Sequence, residues 1–200
     1  MRICQSSILT VLPLILCSIS WGADFEKGQA AYEAGDYQAA ITEWQPLADA
    51  GNPDSQFSLG LLYANGMGVP FDNDQALKWY RLAADQNHAA AQCNIAVMYA
   101  NGWGVPQSDE EAFKWYSLAA DQGVTAAQIS VAKMYAGGFG AEVDNVLAHK
   151  WFSIASELGD YNAASKRDDV AARMTADEIA EAAARAYAWM ESHQSLLAKQ

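Results

Sequence analysis

The chain has 200 residues, with 12 Lys and Arg against 24 Asp and Glu, a formal charge of −12, and 52% hydrophobic residues. That length suits one or two globular domains or one continuous array, with enough apolar residues to bury a core. The acidic balance lacks the basic face that nucleic acid requires and opposes electrostatic attachment to anionic lipid, so neither is an expected partner.

In chain order, residues 1–22 read as a secretory signal peptide. Arg2 supplies a positive start, Ile8 to Leu16 form a short apolar stretch, and Ser18, Ser20, Gly22 and Ala23 are the small residues of a cleavage region. The stretch is too short to span a bilayer. Cleavage after Gly22 puts Ser20 and Gly22 at the small-residue positions, whereas cleavage after Ala23 would put Trp21 there. Leu16 is too large to precede a lipidated Cys17. A periplasmic or secreted location follows, with no transmembrane segment after cleavage. Loss of Arg2 takes the charge from −12 to −13, and loss of Cys4 and Cys17 leaves Cys93 alone. One cysteine forms no internal disulfide. Cys93 shares its repeat position with Phe57 and Ile129 and reads as a small buried hydrophobe.

Residues 23–54 read as a helix pair of tetratricopeptide type. Ala31 and Tyr32 lie on its first helix, Gly35 and Asp36 in its turn, and Ala39 to Ile41, Trp44 and Leu47 on its second. Three copies of one unit follow, at 55–90, 91–126 and 127–162. Tyr63, Tyr99 and Tyr135 are 36 residues apart, and so are Trp79, Trp115 and Trp151. A fixed period of this length is the mark of a solenoid, in which one supersecondary unit is stacked repeatedly.

Each copy reads as two antiparallel helices. In the first, Phe57, Leu59, Leu62 and Tyr63 form an apolar stripe at helical spacing over about 54–64. Gly66, Gly68 and Pro70 then end that helix. Asp72 with Gln75, and Ser108 with Glu111 in the next copy, resemble capping boxes that open the second helix; the third copy keeps Asp144 but has Leu147 in place of the reciprocal acceptor. Gly60, Ala96 and Ala132 share a position where helices must approach, and the Trp-Tyr steps fill the spaces between units. Residues 163–200 read as C-terminal capping helices and tail, with Thr175 and Glu178 as a capping box. The whole is an all-α chain, an α/α solenoid with covered ends, expected as a monomer.

Leu59-Gly60-Leu61-Leu62-Tyr63, Gly66-Met67-Gly68-Val69-Pro70 and Ala76-Leu77-Lys78-Trp79-Tyr80, followed by Ala83-Ala84, resemble the Sel1-like repeat, a tetratricopeptide relative with a longer inter-helix loop. The resemblance implies an α/α superhelix that scaffolds protein–protein contacts, and exported bacterial members acting as regulators or adaptors. It also implies a second class: some cysteine-rich members, with a disulfide in each repeat, are proposed to bind or hydrolyse β-lactams. This chain lacks those cysteine pairs. Its third copy also departs from the pattern, with Ala141-Glu142 for Val-Pro and His149 at an apolar position.

The copies share framework residues but no catalytic group. Ser130 and Lys133 have the Ser-x-x-Lys spacing of penicillin-recognising enzymes, yet no Lys-Thr-Gly element accompanies them, and in register they match Ser58/Leu61 and Asn94/Val97. Asp72-Asn73-Asp74 is continued by Gln75, Ala76 and Leu77, not by calcium ligands. His88, His149 and His193 lack metal-ligand spacing, so neither metal nor cofactor is expected. Lys78, Lys114 and Lys150 read as solvated lysines with packed stems.

Two sets of positions lie outside the framework. Ser58, Leu61, Asn94, Val97, Ser130 and Lys133 lie on the first helix of each copy, the helix that lines the concave surface in this fold class. They vary as a surface reading different partner features would, and as tolerated exposed positions also would. Met67, Trp103 and Phe139 stand between the paired glycines and are all large and apolar; they either fold back over a neighbouring helix or form an apolar ridge for a partner. The reading is a non-catalytic scaffold or adaptor for another protein or peptide, with a peptidoglycan- or β-lactam-binding protein, even a weak hydrolase, as the alternative.

Overall fold

A computed structural model describes residues 24–194, so the signal segment proposed for 1–22 lies outside the described residues, as does the end of the C-terminal tail. The described residues form ten helices: α1 Phe25–Glu33, α2 Tyr37–Asp49, α3 Pro53–Asn65, α4 Asn73–Ala84, α5 Ala89–Asn101, α6 Asp109–Asp121, α7 Thr125–Gly137, α8 Asn145–Glu157, α9 Tyr161–Ala171 and α10 Ala176–Ser192. None is long and apolar enough to cross a membrane.

The helix boundaries follow from local chemistry. Asp72, Ser108 and Asp144 accept the backbone N–H three residues on and start α4, α6 and α8. The reciprocal half of the expected capping box is not formed in the first two copies: Glu111 instead pairs with Lys114 at 2.6 Å, and Ser108 donates to Glu110. Among the described residues only Thr175 and Glu178 close a full box. At the other end, Gly66, Gly102 and Gly138 stop α3, α5 and α7 with φ of 64°, 69° and 73°, the left-handed conformation that glycine adopts without penalty.

From α1 to α9 each helix packs on the next along the chain, which makes an all-α solenoid, and α10 packs on α8. The second glycine of each long loop sets the spacing between units. A Cβ on Gly104 would meet Asn73 at 3.0 Å, and one on Gly140 would meet the Asp109 carbonyl oxygen at 2.1 Å, so the loop of one unit rests on the start of the preceding unit's second helix. Between the helices lie Trp44, Trp79, Tyr80, Trp151 and Phe152, all buried. A buried aromatic of this size removes roughly 150–250 Å² from water, on the order of 4–6 kcal/mol before ordering entropy. Cys93 is a free, half-buried thiol against the third unit's core, and burial raises its pKa.

Candidate functional site

Because successive units stack side by side, their first helices α3 and α5 lie next to each other and leave a cleft of about 560 Å³ between them. Leu61, Ala64, Val97 and Met98 give it an apolar lining; Asn65, Asn73 and Asn94 add amides; Phe71 and Trp103 complete it. No charged residue lines it. Phe71 and Trp103 are 63% and 51% exposed, large apolar surfaces left open beside a concave site. Tyr80 comes from α4 with its ring buried and its hydroxyl beside Asn94; burial pushes its pKa up to about 12, with the Asn94 side chain pulling the other way. The lining therefore stays uncharged across the physiological range.

A second cleft of about 370 Å³ adjoins the first, with Leu61 common to both. Phe25, Gln29 and Tyr32 from α1, Trp44 from α2, Asp54, Phe57 and Ser58 from α3, and His88 line it. The rings are packed on one another: Phe25 on Trp44 at 5.9 Å, Tyr32 on Trp44 at 5.8 Å, and His88 stacked on Phe57 at 4.7 Å. His88 is also the cap of α5. Its Nδ1 accepts the Ala91 N–H at 3.1 Å, which leaves Nε2 for the Asp54 carboxylate at 3.3 Å. A third cleft, of about 620 Å³ under the C-terminal helices, is lined by His149, Glu157 and Ile179 and by Arg167 and Asp168, which pair with each other at 2.9 Å.

The nine residues singled out in the sequence separate into groups. Leu61, Asn94, Val97 and Trp103 converge on the first cleft, so one loop tip and three first-helix positions belong to a single surface. Ser58 was expected on an exposed helix face and is not: it is 7% exposed, its hydroxyl donates to the Asp54 carbonyl at 2.8 Å, and it lies at the edge of the second cleft. Asn94 and Ser130 have a packing task that the sequence reading did not assign, since they lie beside the hydroxyls of Tyr80 and Tyr116 from the preceding unit and lower the pKa of each. Ser130 also donates to the Ala126 carbonyl at 2.9 Å, and Lys133 is exposed.

The three loop tips do not form one row. Met67 folds back against the first core cluster, Trp103 lines the cleft, and Phe139 lies over Gly137, where an added Cβ would meet its ring at 2.3 Å. In the other copies that position is Asn65 or Asn101, each bonded to a carbonyl of its own helix. Of the lysines beside the tryptophans, Lys78 and Lys114 are solvated as expected, the first over the Trp79 indole and the second paired with Glu111, whereas Lys150 is half-buried against the Trp151 ring at 4.0 Å and burial lowers its pKa.

Sequence reasoning missed Phe71, Asn73 and Tyr80 in the first cleft, and the whole ring set of the second. Phe71 left no signal, because the other copies have Gln107 and Val143 there. The second cleft straddles the N-terminal pair and the first repeat, so no period points to it. Among the described residues, no group of three His, Cys, Asp or Glu is placed to hold a metal ion.

The Sel1 repeat profile matches residues 53–88, 89–124 and 125–160, which together make up more than half of the chain and begin two residues before the frame set by the tyrosines. A Sel1 repeat protein from Oxalobacter formigenes has a similar crystal structure, with a TM-score of 0.61 and 34% identity over 64% of this chain and 97% of that one. The c5321 protein, a protective antigen of uropathogenic Escherichia coli with the same repeat fold, gives a TM-score of 0.53 and 26% identity over 88% of this chain; the match spans 46% of that longer chain. Curated proteins give no match. The chain belongs to the Sel1 repeat family, whose repeats are generally protein–protein interaction modules.

Proposed function

We propose that this protein is a non-catalytic scaffold, acting in the periplasm or outside the cell, whose cleft between α3 and α5 holds an extended segment of a partner protein. One observation carries the reading. An apolar floor, three asparagine amides and two exposed aromatics meet in an uncharged cleft of about 560 Å³. Apolar walls with a few fixed polar groups are what a binding site needs. The Asn73 amide and the side-chain oxygen that Asn65 leaves free of its own helix can pair with a peptide backbone whatever its sequence, and Trp103 offers the aromatic anchor that interfaces favour. The leader-like sequence of residues 1–22 supports export.

The test is selection from a random dodecapeptide library on the immobilised protein, then affinity measurement on the enriched peptides. Val97→Arg and Trp103→Ser should each weaken them by about tenfold or more, as loss of a central contact does, with circular dichroism and urea midpoint unchanged. Peptides that bind both variants as tightly as wild type would remove the cleft from consideration. Export is tested by fractionation and N-terminal sequencing, where a first residue at or near Ala23 in the periplasm or medium is expected.

A further inference from the structure

We infer that the second cleft is a pocket for a basic side chain, Lys or Arg, presented by the polypeptide that lies in the first; this rests on the peptide-binding reading above. The cleft is lined by Phe25, Tyr32, Phe57 and the His88 imidazole, with the Asp54 carboxylate among them. Aromatic faces carry negative quadrupole charge and attract a cation within about 6 Å of the ring centre. The carboxylate adds a full charge and two acceptor oxygens. Its only partner among the described residues is His88, 3.3 Å away, and the Asp54 side chain is 60% exposed. Nδ1 of His88 accepts the Ala91 N–H, so only Nε2 of that ring faces the carboxylate.

No lysine or arginine lines either cleft, and the chain as a whole carries −12. The cation must therefore come from outside. Leu61 lies on both clefts, so a peptide seated against Val97 and Trp103 reaches the ring set with its next side chains. The first cleft supplies apolar and backbone contacts, and the second makes the choice of partner charge-specific.

Two measurements test this. In the first, ring resonances of Tyr32 and Phe57 are followed by NMR while Nα-acetyl-lysine amide is added, with its Nε-acetylated neutral analogue as control. The charged compound should move them, the neutral one should not, and Asp54→Asn should weaken the charged response by about tenfold while leaving the rest of the spectrum in place. Equal responses to both compounds, or none to either, overturn the pocket. In the second, the dodecapeptide selection is repeated on wild type and Asp54→Asn. The expected wild-type consensus places a Lys or Arg at a fixed distance from an apolar residue, and the variant keeps the apolar preference and loses the basic one. A consensus with apolar positions and no basic one overturns the pocket and leaves the peptide cleft standing. Ring shifts with the lysine compound but no enriched peptide overturn both, and assign the rings to free cations instead.

Discussion

Gln56, Gln92 and Gln128 are the same repeat position, and all three are buried. A buried amide must find partners or lose its hydration without return. Gln86 donates to the Gln56 side chain at 2.8 Å, and Gln122 donates to Gln92 at 2.7 Å. The next residue in that register is Leu158, and accordingly the side-chain oxygen of Gln128 has no partner. Gln122→Leu, which copies the third unit's arrangement into the second, should orphan the side-chain oxygen of Gln92, whose Nε2 keeps its bond to Asn87, and lower stability by about 1–3 kcal/mol in urea unfolding. An unchanged midpoint would show that water replaces the bond. The same scale exposes the His149 imidazole as a liability. It sits where Leu77 and Phe113 sit in the other copies and is 5% exposed; burial, then Arg167, pulls its pKa below the ordinary 6.5, against a smaller pull from Asp168. The unfolded chain takes up that proton first as pH falls, so the contribution is complete above about pH 6.5 and disappears below it. Urea midpoints at pH 7.5 and pH 5 should therefore differ less in His149→Phe than in wild type. An identical pH dependence in the two proteins would contradict the assignment.

Helices and loops were the legible part of this chain because their determinants are local and repeated. Tyr63, Tyr99 and Tyr135 fixed the period, and Gly66, Gly102 and Gly138 fixed where the first helices end. What a loop touches is set by stacking, and the period is silent about it. The second glycine shows this: recurrence at Gly68, Gly104 and Gly140 says that something forbids a side chain, while only the fold says that it is the start of the preceding unit's second helix. Half of the candidate site was hidden for the same reason. Asn94 reads as a variable surface residue until Tyr80, fourteen positions earlier, is placed across from it by the packing of α4 on α5. Gly140→Ala tests the loop contact. Its Cβ would lie 2.1 Å from the Asp109 carbonyl oxygen in a backbone of φ 67°, so both the clash and the conformation oppose it. A loss of about 2–4 kcal/mol is expected, measured by thermal or urea unfolding. Gly35→Ala is the control, since its φ of 77° is equally unfavourable but nothing lies within 4 Å. Equal losses in the two variants would show that conformation alone, without the contact, accounts for the effect.

At the scale of the whole molecule, contacts run between neighbours, so stability is a chain of local terms and the ends need cover. At the C-terminus that cover is α10, and its anchor is Trp189, which meets Trp151 edge-on at 5.7 Å and stacks on His193. Trp189→Ala should cost about 3–5 kcal/mol, as loss of a buried aromatic does. Where that cost appears depends on how far the units are coupled. Because α8 holds α9 and α10 while α3 and α4 contact only elements near them, the loss should fall on the third unit. Amide hydrogen exchange at pH 7 should accelerate across α7 to α10 and stay near wild type in α3 and α4, the helices next to the proposed peptide cleft. Peptide affinity should then survive a substitution that loosens four of the ten described helices. Acceleration spread evenly over all helices would instead mark one cooperative domain, and in that case damage to the C-terminal cover would reach the cleft between α3 and α5 and weaken binding there.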